Sequence, residues 1–167
     1  VHQSPRKADR RLYHRTLWVK LMQKTKVLFL CTGNSARSQM AEAILRQRAG
    51  DRFEVHSAGL EPKGINPFTI RVMEELGYDL SDQYAKDVTE YLGRHHFGYL
   101  ITVCAHAEQH CPRTFLGVSE RIHWPIDDPA AFDGSEEETL EAFRQAREEV
   151  TNRIEEWLAE LDASRDR

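Results

Sequence analysis

The sequence predicts an α/β fold, a four-stranded and mainly parallel sheet with helices on both faces. Three observations predict it. Four short apolar runs rich in strand formers recur along the chain, segments of helical spacing or turn chemistry separate them, and a long amphipathic segment closes it.

Residues 26–30, KVLFL, are too short for a helix and read as a buried strand, ended by the turn chemistry of Thr32, Gly33, Asn34 and Ser35. From Arg37 onward, Met40, Ala41, Ile44 and Leu45 recur at helical spacing, and the pattern stops near Gly50. Residues 53–57 form the second strand, ending at Ala58 and Gly59. Asn66 and Pro67 then open a helix through Ile70, Met73 and Leu76 that stops at Gly77. Residues 99–103 are the third strand and 121–125 the fourth, closed by Pro125. Leu140, Phe143, Val150, Ile154, Trp157 and Leu161 form one stripe of a long last helix, expected to lie against the sheet. Ligands in such folds bind beyond the carboxyl ends of the strands.

The chain has 167 residues, 40% of them hydrophobic, and a formal net charge of −4, which suits one soluble globular domain. No apolar run approaches the roughly 18 to 20 residues of a membrane span, and the mild acidity removes the usual electrostatic argument for a nucleic-acid binder. The ends differ from the body. Residues 1–21 carry Arg6, Lys7, Arg10, Arg11, Arg15 and Lys20 against Asp9, whereas 135–167 are strongly acidic. The basic stretch lacks the apolar core of a secretory signal. With Met22 standing just before the first strand, 1–21 is expected to be upstream sequence or a disordered arm, and 22–167 a single domain. Three cysteines do not make an extracellular disulfide framework, so reduced thiols in the cytoplasm are expected.

Cys31-Thr32-Gly33-Asn34-Ser35-Ala36-Arg37-Ser38 falls between the first strand and the first helix, where unpaired N–H groups and the positive end of the helix dipole gather. An oxyanion is the natural guest. Gly33 and Asn34 permit the turns that aim successive N–H groups inward, and Arg37 offers a planar pair of donors. The same field predicts a lowered pKa for Cys31, making it a nucleophile. Ser38 either caps the helix or stabilises the thiolate.

Cys104 and Cys111 follow the third strand. Seven residues apart on a helix they share a face, but about 10 Å of rise separates them, beyond the roughly 7 Å that a disulfide spans between Cα atoms. Joining them requires 105–110 to unwind. Two other readings remain: a metal site built from Cys104, His106, His110 and Cys111, and two packed core thiols with both histidines facing solvent.

Residues 27–43, VLFLCTGNSARSQMAEA, resemble the opening of the low-molecular-weight protein tyrosine phosphatase superfamily, and their wording is similar to its arsenate reductases. The likeness continues through Ser57-Ala58-Gly59, Asn66-Pro67 and Asp127-Asp128-Pro129-Ala130, covering about 24–160. It implies a phosphatase-like fold for a single catalytic domain, with Thr32 to Ser38 cradling the oxyanion. The resemblance places a proton donor for the leaving group at Asp128, with Asp127 as understudy. Cys104, six residues and Cys111-Pro112 is similar to the thioredoxin-coupled arsenate reductases. That likeness implies Cys31 as nucleophile, Cys104 as resolving thiol and Cys111 as the thiol whose disulfide thioredoxin opens. Some family members bind potassium, with ligands matching Asn34, Glu42 and Ser57 and an Asp that falls here at Lys86. Either the Lys86 ammonium takes the ion's place beside Glu42, or a one-residue shift brings in Asp87.

The function this implies is reduction of arsenate to arsenite by three thiols and an external dithiol, with no bound cofactor beyond that potassium ion. The alternatives are a phosphatase acting on phosphotyrosine or small phosphomonoesters, with Cys104 and Cys111 as a redox guard, and a metal-binding oxyanion sensor without turnover.

Overall fold

The computed structural model describes residues 23–111 and 117–167. The basic stretch 1–21, Met22 and Pro112 lie outside the described residues. The chain runs β1 (Thr25–Cys31), α1 (Arg37–Ala49), β2 (Phe53–Gly59), α2 (Pro67–Glu74), a 3₁₀ turn (Val88–Glu90), β3 (Phe97–Thr102), α3 (Ala105–His110), β4 (Val118–His123), a second 3₁₀ turn (Pro129–Ala131) and α4 (Glu136–Arg165).

The four strands form one sheet in the order β2-β1-β3-β4, and every pairing is parallel. Burial on both faces explains the uninterrupted apolar wording of β1, whose Val27, Leu28, Phe29 and Leu30 are fully buried. On one face lie α1 and α4. Trp157 of α4 packs 5.4 Å from the Phe53 ring and 4.9 Å from Tyr99, tying the last helix to β2 and β3. Alternation puts Thr102 on the opposite face, where its hydroxyl donates to Glu108 of α3. Tyr91, just after the first 3₁₀ turn, covers the same face at His56.

Several boundaries differ from the sequence reading. The second helix ends at Glu74 although the apolar spacing runs to Leu76, because Leu76 is exposed and Gly77 turns away at φ 80°. Asn66 caps its start, its side chain accepting from Phe68 N, as Asn-Pro predicts. β3 begins at Phe97, β4 begins at Val118, and β4 ends at His123, two residues ahead of Pro125.

The strand order positions the site. β1 sits between β2 and β3, so the connections leaving β1 and β3 go to opposite faces and open a crevice at their carboxyl ends. Leu30 pairs with Thr102, and Val103 N donates to Leu30 O at 2.9 Å. The loops that begin at Cys31 and Cys104 therefore leave the sheet side by side.

Candidate active site

Residues 31–36 fold as a loop whose carbonyls are turned outward. Leu60 N donates to Cys31 O, Glu61 N to Thr32 O, Lys63 N to Gly33 O and Asn66 N to Ser35 O, all at 2.8–3.2 Å. With carbonyls pinned outward, the intervening N–H groups turn toward the space above Cys31, the arrangement an oxyanion needs. The left-handed residue of the turn is Asn34 (φ 48°), not Gly33, which corrects the expectation that both positions turn the chain. Gly59 allows the close approach of β2, because a Cβ there would sit 2.6 Å from Thr32 O.

Asn34 is fully buried and organises the loop through its side-chain amide. Its Oδ1 accepts from Lys86 N at 2.8 Å, so Nδ2 faces the other way and donates to Ser38 Oγ and Ser57 Oγ, each at 2.9 Å. Ser38 Oγ, which accepts from Asn34, lies 2.8 Å from Cys31 Sγ and donates its hydrogen there once the sulfur is a thiolate. Asn34 N–H also donates to that sulfur at 3.1 Å. Ala36 stands at the N-cap of α1 without a side-chain bond, so Ser38 serves the sulfur and does not cap the helix.

Burial pushes the Cys31 thiol up from its ordinary value, against the downward pull of the Ser38 hydroxyl, the Arg37 guanidinium and the Asn34 N–H. That corrects the expected lowering: the sulfur is enclosed deeply enough for desolvation to outweigh the donors.

Arg37 begins α1 and is nearly buried, with Nη1 donating to Ile126 O at 2.7 Å and Nη2 3.7 Å from Asp128 Oδ2. Asp128 caps the second 3₁₀ turn through Ala130 N and lies half-exposed at the rim. Asp127 is exposed and does not line the cavity. A cavity of about 400 Å³ is lined by Cys31, Arg37, Lys63, Cys104, His106 and Asp128, with most of the loop as its floor. A larger one, about 710 Å³, lies at the opposite end of the sheet around Lys26, Glu54 and Tyr99, away from all three cysteines.

Cys104 is the N-cap of α3 and its Sγ accepts from Ala107 N, while Cys111 is the C-cap. All three cysteines are buried and none is in a disulfide. The helix between Cys104 and Cys111 holds them apart, as the seven-residue spacing predicts. The four candidate metal ligands of this segment do not converge. His106 Nδ1 bonds Thr32 Oγ1 and His110 Nδ1 bonds His106 O, and among the described residues no His, Cys, Asp and Glu cluster is placed to hold a metal ion.

Glu42 and Ser57 meet directly, the Ser57 hydroxyl donating to Glu42 Oε2. Lys86 is buried with its Nζ 3.4 Å from the same Oε2 and 2.8 Å from Tyr84 O, and Arg46 holds Oε1. Asp87 instead caps the first 3₁₀ turn through Thr89. Of the two readings of this position, the ammonium beside Glu42 is the one found.

Sequence reasoning missed Lys63 and Gln39, and took His106 as a candidate metal ligand where the structure sets it against Thr32 at the cavity. Gln39 bonds Asn34 and Gln83, and no local pattern marks it.

The model of the low molecular weight phosphotyrosine protein phosphatase family matches residues 26–167. The chain belongs to that family. It is 42% identical over 133 residues to an arsenate reductase of Halalkalibacterium halodurans, covering 80% of this chain and 94% of that protein. An arsenate reductase of Bacillus subtilis is 41% identical over 136 residues, covering 81% and 96%. Among solved structures, an arsenate reductase in the phosphate binding state superposes with a TM-score of 0.68 at 30% identity, covering 81% of this chain and 98% of the other. A thioredoxin-dependent arsenate reductase of Corynebacterium glutamicum gives 0.64 at 27% identity, covering 94% and 72%. The fold expected from the sequence, a four-stranded parallel sheet of the phosphatase type, is the fold of the family.

Proposed function

We propose that the chain is an arsenate reductase that turns arsenate into arsenite through Cys31, Cys104 and Cys111, with thioredoxin as the external dithiol. The observation that carries this is a second thiol, Cys104, opening into the cavity that Cys31 and Arg37 line. Hydrolysis of a phosphoester has no use for it. The arsenate reductases among the relatives support the same reading.

Arsenate binds over the loop, its oxygens facing the N–H groups and Arg37. Cys31 Sγ attacks arsenic, the thiol proton passing to an arsenate oxygen, and Asp128 protonates the departing hydroxide to water. A thiol kept protonated by burial admits an anion without setting two negative charges side by side. Cys104 thiolate then attacks Cys31 Sγ. The sulfur–arsenic bond breaks, its electron pair stays on arsenic, and As(V) leaves as As(III) in arsenite. Cys111 thiolate attacks Cys104 Sγ, which frees Cys31, and thioredoxin reduces the resulting Cys104–Cys111 disulfide.

Potassium does not fit the place the family resemblance assigns to it. Glu42 already faces Lys86 Nζ on one oxygen and Arg46 on the other, so a further cation meets two like charges.

The test is arsenate-dependent NADPH oxidation in the presence of thioredoxin and its reductase. Turnover supports the reading, and its absence alongside rapid hydrolysis of a chromogenic phosphomonoester favours the phosphatase.

A further inference from the structure

Cys104 has a task that its immediate surroundings do not complete. As resolving thiol it must lose a proton before it attacks. Among the described residues no carboxylate or imidazole is bonded directly to its sulfur, which has Ala107 N–H at 3.3 Å and Thr32 Oγ1 at 3.5 Å. The Thr32 hydroxyl is bonded on its other side to His106 Nδ1 at 3.0 Å. Three heavy atoms therefore lie in one chain, Cys104 Sγ, Thr32 Oγ1 and His106 Nδ1.

That chain holds a proton at either end without moving a heavy atom. With neutral His106, the Cys104 S–H donates to Thr32 Oγ1, and the threonine O–H donates to Nδ1. With the proton moved, Nδ1–H donates to Oγ1, and the threonine O–H donates to the thiolate. Ala107 N–H bonds the sulfur in both states. The His106 ring is held for this. His110 stacks on it with centroids 4.1 Å apart and planes inclined 23°, and His110 Nδ1 bonds the His106 carbonyl at 2.9 Å. His106 itself is exposed, so a proton it takes has a way out to water.

We propose that His106 is the general base for Cys104, acting through the hydroxyl of Thr32. This rests on the reading of Cys104 as the resolving thiol. One proton leaves Cys104 Sγ for Thr32 Oγ1, while the threonine's own proton passes to His106 Nδ1. The thiolate so formed supplies the electron pair of the Cys31–Cys104 bond, and the proton on His106 is released to solvent. The other groups facing this end of the cavity are Cys31, Arg37, Lys63 and Asp128, from the β1 loop, α1, the 60–66 loop and the loop after β4. From its own segment His106 faces Cys104 and His110, whereas Glu108 is turned away to Thr102 and Arg121.

The experiment measures alkylation of Cys104 by iodoacetamide, mapped by mass spectrometry, and single-turnover arsenite release, both from pH 5 to 9. Wild type should show a limb that rises with pH as the base becomes free to take the proton. His106→Ala should lose that limb, slow both processes by about 10²-fold, and recover with added imidazole; His106→Asn should lose the limb without recovering as the alanine variant does. Wild-type rates and pH profiles in both variants would overturn the proposal. If Cys104→Ser still releases arsenite while Cys104 alkylation depends on His106, the base stands and the resolving role of Cys104 fails instead.

Discussion

Replacing Ser38 with Ala tests how the thiolate of Cys31 is held. The Ser38 hydroxyl accepts from Asn34 Nδ2 at 2.9 Å and lies 2.8 Å from Cys31 Sγ, where a thiolate can only accept its hydrogen. A hydrogen bond to a charged group contributes about 1.5–3 kcal/mol and one to a neutral group about 0.5–1.5 kcal/mol. The difference, about 1–2 kcal/mol, is what the hydroxyl gives to the thiolate over the thiol. Ser38→Ala should then lower the thiolate fraction at a fixed pH below the inflection by about 5- to 30-fold. Iodoacetamide alkylation of Cys31, read by peptide mapping across pH, measures it directly, and the inflection should move further up. Ser38→Ala also takes an acceptor from Asn34 Nδ2, so Ser38→Cys and Ser38→Thr serve as controls that keep a polar atom at that position. An unchanged inflection, or a faster Cys31 at equal pH, would refute the assignment of that hydrogen to sulfur.

Asp128→Asn should slow the first chemical step by about 10² to 10⁴ with oxyanion binding little changed, as read by pre-steady-state arsenate kinetics, and Asp127→Asn should leave it near wild type; the reverse pattern would move the proton donor one residue. In the spent enzyme, hydrogen exchange should rise across 105–110, because α3 keeps Cys104 and Cys111 at opposite caps and must open for them to join; unchanged exchange would contradict a relay that passes through that disulfide. Burial raises the thiols of Cys31 and, opposed by Arg121, of Cys111, so the folded state favours their protonated forms. Under reducing conditions the stability they contribute is complete below the ordinary thiol value of about 8.5 and is lost as pH climbs past it; thermal melts that hold constant from pH 7 to 10 would contradict the burial argument.

The parts of the fold that were legible in the sequence are those where burial and chemistry coincide. β1 reads as a strand because both its faces are covered, and α4 because its apolar residues keep one face, whereas α1 is buried all round from Arg37 to Leu45 and is readable only through the spacing of Met40, Ala41, Ile44 and Leu45. The start of β4 was invisible: Ser119 and Glu120 are exposed at a sheet edge and carry no apolar pattern. Leu76 misled in the opposite direction, an exposed apolar residue continuing a period that the backbone had left. At the site, Cys31 and Arg37 were readable because one loop holds both. The contacts that orient the donors around Cys31 were not. Asn34, Ser57, Glu42 and Lys86 meet through a sheet pairing and a distant loop, and the step from Thr32 to His106 crosses from β1 to α3. Contacts between elements leave no local spacing to read. The direction of the Cys31 shift was missed for a related reason: the loop's donors are visible in the wording, and the depth at which the sulfur is enclosed is not.

The most direct test of the three-thiol account is the count of arsenite released per protein by prereduced enzyme without thioredoxin, in wild type and in each Cys→Ser variant. Wild type should release one arsenite and carry a Cys104–Cys111 disulfide. Cys111→Ser should also release one but stop at a Cys31–Cys104 disulfide, and Cys31→Ser and Cys104→Ser should release none. One full equivalent from Cys104→Ser would contradict the account, since arsenite would then leave Cys31 without the thiol that is held to displace it.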